Sequence, residues 1–180
     1  NDIDPNDHTS FLFLLTQGEG LGGYALLSGG LEADVAAMQG RGLGVTLSSP
    51  NGRARPDGKM LRWRTAALND GTMTPFFIQD ETPRVLRVPD EASITEQPHS
   101  TTSVAGLTIG VPELAAGIHD YEMMTGIKPQ TIDDGSATLN LQGIDFLIQS
   151  DAKILVRAQL VDIQLQNASG AVQNLSQFMP

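Results

Sequence analysis

The chain of 180 residues contains no cysteine. That absence excludes a disulfide framework, a thiolate nucleophile and a thiolate zinc site. It also lacks any apolar run near the roughly 18 residues that a membrane-crossing helix needs. Positive charge is scarce as well: 11 Lys and Arg face 21 Asp and Glu, for a formal net charge of -10. Binding to nucleic acid is driven by basic side chains that displace counterions from phosphates, so neither nucleic acid nor a membrane is expected as a partner. The opening NDIDPNDHTS has no initiating methionine and no basic segment of the kind that begins a signal peptide. The expectation is a cytoplasmic chain from which some upstream sequence is missing. What is present suffices for a core, since 40% of the residues are hydrophobic, enough for one compact domain or two small units.

Glycine is plentiful, and Gly18, Gly20 and Gly23 fall in the spacing G-x-G-x-x-G. A dinucleotide loop needs a strand before it and a helix opening at its last glycine. Phe11 to Leu15 could supply the strand. Downstream, Tyr24-Ala25-Leu26-Leu27-Ser28 runs into Gly29-Gly30, and each glycine inside a helix costs roughly 1 kcal/mol relative to alanine. The segment therefore predicts a buried strand and not a phosphate-binding helix.

Charge is unevenly spread. PNGRARPDGKMLRWR, residues 50 to 64, carries Arg53, Arg55, Lys59, Arg62 and Arg64 against Asp57 alone, a local +4 that leaves -14 elsewhere. Strand alternation over Lys59 to Ala67 puts Met60, Arg62 and Arg64 on one face and Leu61 and Trp63 on the other. Two arginines at i and i+2 can grip one carboxylate or phosphate with forked donors. The same residues could equally form a solvated face that balances nearby acids.

The stretch from Gly22 to Met38 returns faintly 83 residues later as GLTIGVPELAAGIHDYEMM. In each copy a glycine, Gly23 or Gly106, opens a short apolar strand. A helix follows, with apolar positions Leu31, Val35 and Met38 in the first and Leu114, Ile118 and Tyr121 in the second, at i, i+4 and i+7. Gly40, Gly42 and Gly126 suit left-handed stops, and Pro112 suits a first helical turn. Strands are predicted at Leu43 to Ser48, Lys59 to Ala67 and Met73 to Gln79. Asn51-Gly52 and Pro56-Asp57-Gly58 mark the loop between the first two. In the second copy strands are predicted at Ser136 to Leu141, Ile144 to Gln149 and about Arg157 to Gln166, with a two-residue turn at Gln142-Gly143. The fold class is α+β, in tandem βαβββ modules over residues 20–80 and 104–167. They are separated by an extended surface linker over 81–103, preceded by a leader over 1–19 and followed by a tail over 168–180.

This plan, with Val111-Pro112-Glu113-Leu114 at the strand-helix junction, resembles the vicinal-oxygen-chelate superfamily and within it the glyoxalase-like family. Arg53 to Arg64, read as R-x-R-P-D-G-x-x-L-R-W-R, and Pro75 to Ile78 carry the rest of the resemblance, which covers roughly residues 18 to 166. It implies curved sheets paired into a cup for a small substrate. In metal-dependent members a His on a module's first strand and a Glu on its last hold a divalent cation, a Lewis acid for adjacent substrate oxygens. Here Gly23 and Gly106 occupy the His positions and Gln79 the Glu position. In the second module, Gln159, Asp162 and Gln164 are the polar candidates and only Asp162 is a good ligand. The resemblance therefore implies no cofactor in these modules. A divalent metal stays open only if an upstream module, suggested by the resemblance of Asn1 to Gln17 to a family linker, supplies the ligands.

The candidate ligand-binding residues are Arg55, Arg62, Arg64, Gln79 and His99, with an anionic small molecule as the partner. His8 reads as solvated, and His99 ends the linker where it could reach the mouth of the cup. His119 and Glu122 share a helix face at i and i+3 but lie opposite the apolar stripe. Met123 and Met124 are expected between helix and sheet. Two functions stand. One is a glyoxalase-like enzyme of the lyase, isomerase or dioxygenase type, or a fragment of one. The other is a metal-free module that sequesters or senses an anionic small molecule. The long last strand also offers a surface for a homodimer.

Overall fold

The computed structural model describes residues 20–69, 75–88, 91, 100–154 and 157–178. Phe11 to Leu15, His8, Met73 and His99 lie outside them. The first unit contains β1 (Ala25–Leu27), α1 (Leu31–Gly40), β2 (Val45–Leu47), β3 (Asn51–Ala54), β4 (Met60–Leu68) and β5 (Phe76–Asp80). The second contains β6 (Thr101–Val111), α2 (Leu114–Thr125), β7 (Gln130–Asp133), β8 (Ser136–Leu141), β9 (Ile144–Ser150), β10 (Gln159–Asn167) and β11 (Val172–Asn174). Single 3-10 turns follow at Arg84–Leu86 and Leu175–Phe178.

The first helix forms as its pattern requires, burying Leu31, Val35 and Met38 on one side. Glu32 and Asp34 stand in its first turn, where negative charge offsets the positive end of the helix. It begins eight residues after Gly23, so the glycine run does not open onto a helix. Arg41 closes the last turn and Gly42, at φ +97°, reverses the chain. The strand before this helix is shorter and less buried than its apolar sequence suggests: it is an edge strand, and Leu27 is 54% exposed.

In the first sheet the order is β1-β5-β4-β2, with β3 also on β4. β1 runs parallel to β5, pairing Ala25 with Phe76 and Leu27 with Ile78. The second sheet is ordered β11-β10-β6-β9-β8-β7, with β6 parallel to β9. Both units therefore contain the same circuit, in which the opening strand pairs in parallel with the closing strand. This corrects the strand assignment in the second unit. Its closing strand is β9, and the long strand predicted from Arg157 is an addition, β10, laid antiparallel on the far edge of β6. The omitted strand, β7, is exposed at all four positions, so it has no apolar alternation by which to be recognised. Fully exposed β3 escaped for the same reason, since Asn51–Ala54 pairs with Met60–Trp63 in a hairpin where a loop was expected.

The second helix is also rotated from expectation. It buries Gly117, Tyr121 and Met124, while Leu114 and Ile118 are only partly covered. The cause is close approach. A Cβ on Gly117 would meet Val111 Cγ2 at 2.9 Å and Ile148 Cγ2 at 3.2 Å, so the missing side chain lets the helix sit down on β6 and β9. Gly126 ends it in the left-handed conformation, φ +75°, as the C-cap reading predicted. Gln142 and Gly143 take positive φ and join β8 to β9 in a two-residue hairpin, with Leu141 opposite Ile144.

One core runs through both units, containing Leu31, Met38 and Phe77 from the first and Ile109, Tyr121 and Phe146 from the second. The contact is specific. Tyr24 and Tyr121 tilt against Phe146 at 54° and 55°, with ring centroids 6.0 and 6.2 Å away, within the contact range of aromatic pairs. Arg41, just past α1, donates from Nε to Met123 O at 2.5 Å and from Nη2 to Met124 O at 2.9 Å. A cation from one unit thus caps the negative end of the other unit's helix.

Candidate functional site

The arginine island is partly neutralised, at Arg55 and Arg64. Arg62 and Arg64 share a face of β4, as alternation requires, and Arg64 reaches across to Glu32 in the first turn of α1. Its Nε also lies 3.3 Å from Glu81 Oε1, near enough for charge attraction but without hydrogen-bond alignment. Arg55 donates to Leu86 O at 2.5 Å and lies 3.3 Å from Asp57. Arg62 remains exposed. Gln79 is spent on helix α1, where its Oε1 accepts the Leu31 N–H at 2.8 Å, satisfying one of the donors that a helix start leaves open. Arg62 and Arg64 on β4 and Gln79 on β5 thus lie in one sheet, with Arg64 opposite Gln79. The His119 side is solvent-facing, as read.

A large cavity lies between the two units. A cleft of about 750 Å³ has walls of Leu26 and Met38 from the first unit and Leu107, Met124 and Phe146 from the second. That size and apolar lining match small-molecule sites, which add a few placed polar groups to a hydrophobic wall. Asp34 and Arg41 border it, but Asp34 accepts the Ser28 hydroxyl at 2.5 Å and Arg41 is committed to the end of α2. Arg84 and Gln142 line both the cleft and an adjoining depression that also includes Asp80 and Glu81. They therefore stand at its mouth. The left-handed turn holds Gln142 there, and Arg84 opens the 3-10 turn after β5. Arg87 braces that turn by donating to both carboxylate oxygens of Asp80, at 2.7 and 2.8 Å, and these bonds, with the neighbouring positive charge, hold the Asp80 carboxyl below its ordinary pKa. The segment expected to be an extended linker thus begins with an ordered turn and supplies a cationic residue to the cleft.

Tyr24 also lines the cleft, and its hydroxyl lies 2.5 Å from that of Tyr121. Burial pushes both phenols well above their usual range, with the Tyr121 oxygen adding to the effect on Tyr24 and Asp120 adding to that on Tyr121. Both stay neutral donors at physiological pH. The sequence signal for this pair was available: these are the chain's two tyrosines, each a polar tip on an apolar stripe, and a buried Tyr O–H calls for a partner.

Among the described residues no three His, Asp or Glu side chains come together as a metal cage. At Gly106 the backbone itself excludes a ligand, since a Cβ there would lie 2.7 Å from Asp145 O and would run into Gln164. Asp162, on β10, is buried and occupied: it accepts from Ser176 Oγ at 2.6 Å, Ser176 N at 3.0 Å and Ile163 N at 2.8 Å. Burial alone would raise its pKa, but these donors outweigh burial and hold it low. Its role in the described structure is to anchor the final 3-10 turn.

The family model described as "Glyoxalase-like domain" matches residues 3–125. A crystal structure of a hypothetical protein from Staphylococcus aureus is similar in fold, with a TM-score of 0.65 at 15% identity, over 92% of this chain and 71% of that one. No curated protein matches.

Proposed function

The chain belongs to the family of glyoxalase-like domains, within the vicinal-oxygen-chelate superfamily, and from that premise we propose that it binds a small, mainly apolar organic anion in the cleft between its units, with no metal held by these residues. The observation that carries this reading is the cleft itself: about 750 Å³, walled by apolar side chains of both units, with Arg84 and Gln142 at the mouth. Arg84 is exposed and makes no side-chain hydrogen bond to a described residue; its charge acts on nearby Asp80, and its forked donors remain open to a ligand carboxylate. The arginine pair of β4 is a weaker candidate, because Arg64 already faces two carboxylates.

Binding or sensing is favoured over lyase, isomerase or dioxygenase chemistry. Those reactions need a base, an acid or a Lewis acid in contact with the ligand. The carboxylate in the cleft wall, Asp34, already accepts from Ser28, and the phenols stay protonated, so the described lining offers hydrogen-bond donors and no uncommitted base. Titration with the arylalkanoate γ-benzoylbutyrate, by calorimetry with and without chelator, tests the proposal. Affinity is expected to be unaffected by chelator and to fall about tenfold in Arg84→Ala, as for loss of one charged hydrogen bond. Affinity that vanishes with chelator, or survives unchanged in Arg84→Ala, overturns it.

A further inference from the structure

The two phenols, Tyr121 buried and Tyr24 partly so, carry two hydroxyl hydrogens, but their mutual bond uses one. Tyr24 Oη and Tyr121 Oη meet at 2.5 Å, and neither hydroxyl bonds to any other described residue. Thr125, one turn along the helix, donates to the Tyr121 backbone carbonyl. Asp120, beside Tyr121, takes both of its bonds from Arg157. One O–H therefore has no acceptor among the described residues, and where the pair meets the cleft, at the partly buried Tyr24, that hydrogen can be offered to a bound molecule.

Two spaces adjoin the pair. Beside Tyr121 is a cavity of about 10 Å³ whose lining is mainly apolar, from Leu43, Leu68, Val111 and Met124, and includes the paired Asp120 and Arg157; it is at the lower limit for one water and too small for a ligand. Beside Tyr24 is the cleft, and there an acceptor on a bound molecule has room. We infer that the Tyr24–Tyr121 pair is a specificity-determining donor, presenting one hydroxyl hydrogen through Tyr24 to a carbonyl or ether oxygen within an otherwise apolar ligand whose carboxylate reaches Arg84. The class so defined is a keto-substituted aromatic or aliphatic carboxylic acid. Tyr121 acts as a positioning residue: by engaging one hydroxyl hydrogen of the pair it fixes the direction of the other. This inference rests on the cleft reading and adds to it the identity of the group that the inner wall selects.

The test compares γ-benzoylbutyrate with δ-phenylvalerate, in which a methylene replaces the ketone. Calorimetric titration of the unmodified chain is expected to show about tenfold tighter binding of the ketone, because a site with an unpaired donor penalises the analogue lacking the acceptor. In Tyr24→Phe the preference is expected to disappear while δ-phenylvalerate affinity is kept. In Tyr121→Phe part of the preference is expected to remain. Equal affinities in the unmodified chain, both weakened by Arg84→Ala, would leave the cleft standing and overturn the donor role. If neither acid binds, the cleft reading and this inference fall together. A preference that persists in a folded Tyr24→Phe protein, judged by its near-ultraviolet circular dichroism, also overturns the inference. The comparison in the unmodified chain decides even if a variant fails to fold.

Discussion

In the second unit the opening strand, β6, is hydrogen-bonded on both sides, to β9 and β10, and is buried from Gly106 to Val111. In the first unit the equivalent strand, β1, is three residues long, pairs with β5 alone among the described residues and exposes Ala25 and Leu27. Among the described residues, the opening strand of the same βαβββ circuit is thus interior to its sheet in one unit and at the edge in the other. Just before the short strand, Tyr24 leans on Phe146 and bonds Tyr121 of the other unit. The second unit acts as the support against which the first is ordered, and the cleft is the part of that junction left unfilled.

The strongest way to break this asymmetry is Phe146→Ala. Removal of a buried aromatic ring costs about 3–5 kcal/mol. Because Phe146 touches both tyrosines, amide exchange is expected to rise further in β1 and β5 than in β6 and β9. Equal rises would contradict the support role. Arg41→Ala comes next. It removes two charge-assisted bonds to the end of α2, each in a class that contributes about 1.5–3 kcal/mol. A lower urea midpoint is expected, with the first unit unfolding earlier.

A smaller effect concerns the tail. Asp162 is held below its ordinary pKa by its donors, so its stabilising contribution is present above the unfolded carboxylate range near pH ~4 and is lost as pH falls through the lower folded value. Asp162→Asn is expected to cost about 1 kcal/mol at neutral pH and to flatten the acid end of the stability profile, as read by thermal melts across that range. The least effect is expected from Arg64→Ala. Its ion partners Glu32 and Glu81 are partly exposed, and such pairs contribute about 0–1 kcal/mol. Its melting temperature and its affinity for γ-benzoylbutyrate are both expected to stay near those of the unmodified chain.

The parts of this architecture that could be read from sequence are those with a local signal. Leu31, Val35 and Met38 repeat at helical spacing, Gly126 stops a helix, and Gln142-Gly143 turns a hairpin; each stands where it was expected. The strands β3 and β7 expose every residue, so their existence depends on partners and not on their own pattern. Omitting β7 shifted the count and promoted β10 to a role that β9 fills. The site was harder to see because charge is conspicuous in sequence while its neutralisation is not: Glu32 lies 32 residues before Arg64. The cleft shows the converse difficulty. Tyr24 and Phe146 belong to different units, and no local motif announces that they share a wall. Pairing the two tyrosines, from their matching places on apolar faces, was the one inference that could have pointed there.

Methionine-methyl NMR during titration with γ-benzoylbutyrate separates the cleft from the arginine island most directly. Met38 and Met124 line the cleft, whereas Met60 is exposed on the strand that carries Arg62 and Arg64. The account predicts shifts at Met38 and Met124 with Met60 unmoved. Shifts at Met60, with both cleft methyls silent, would contradict it.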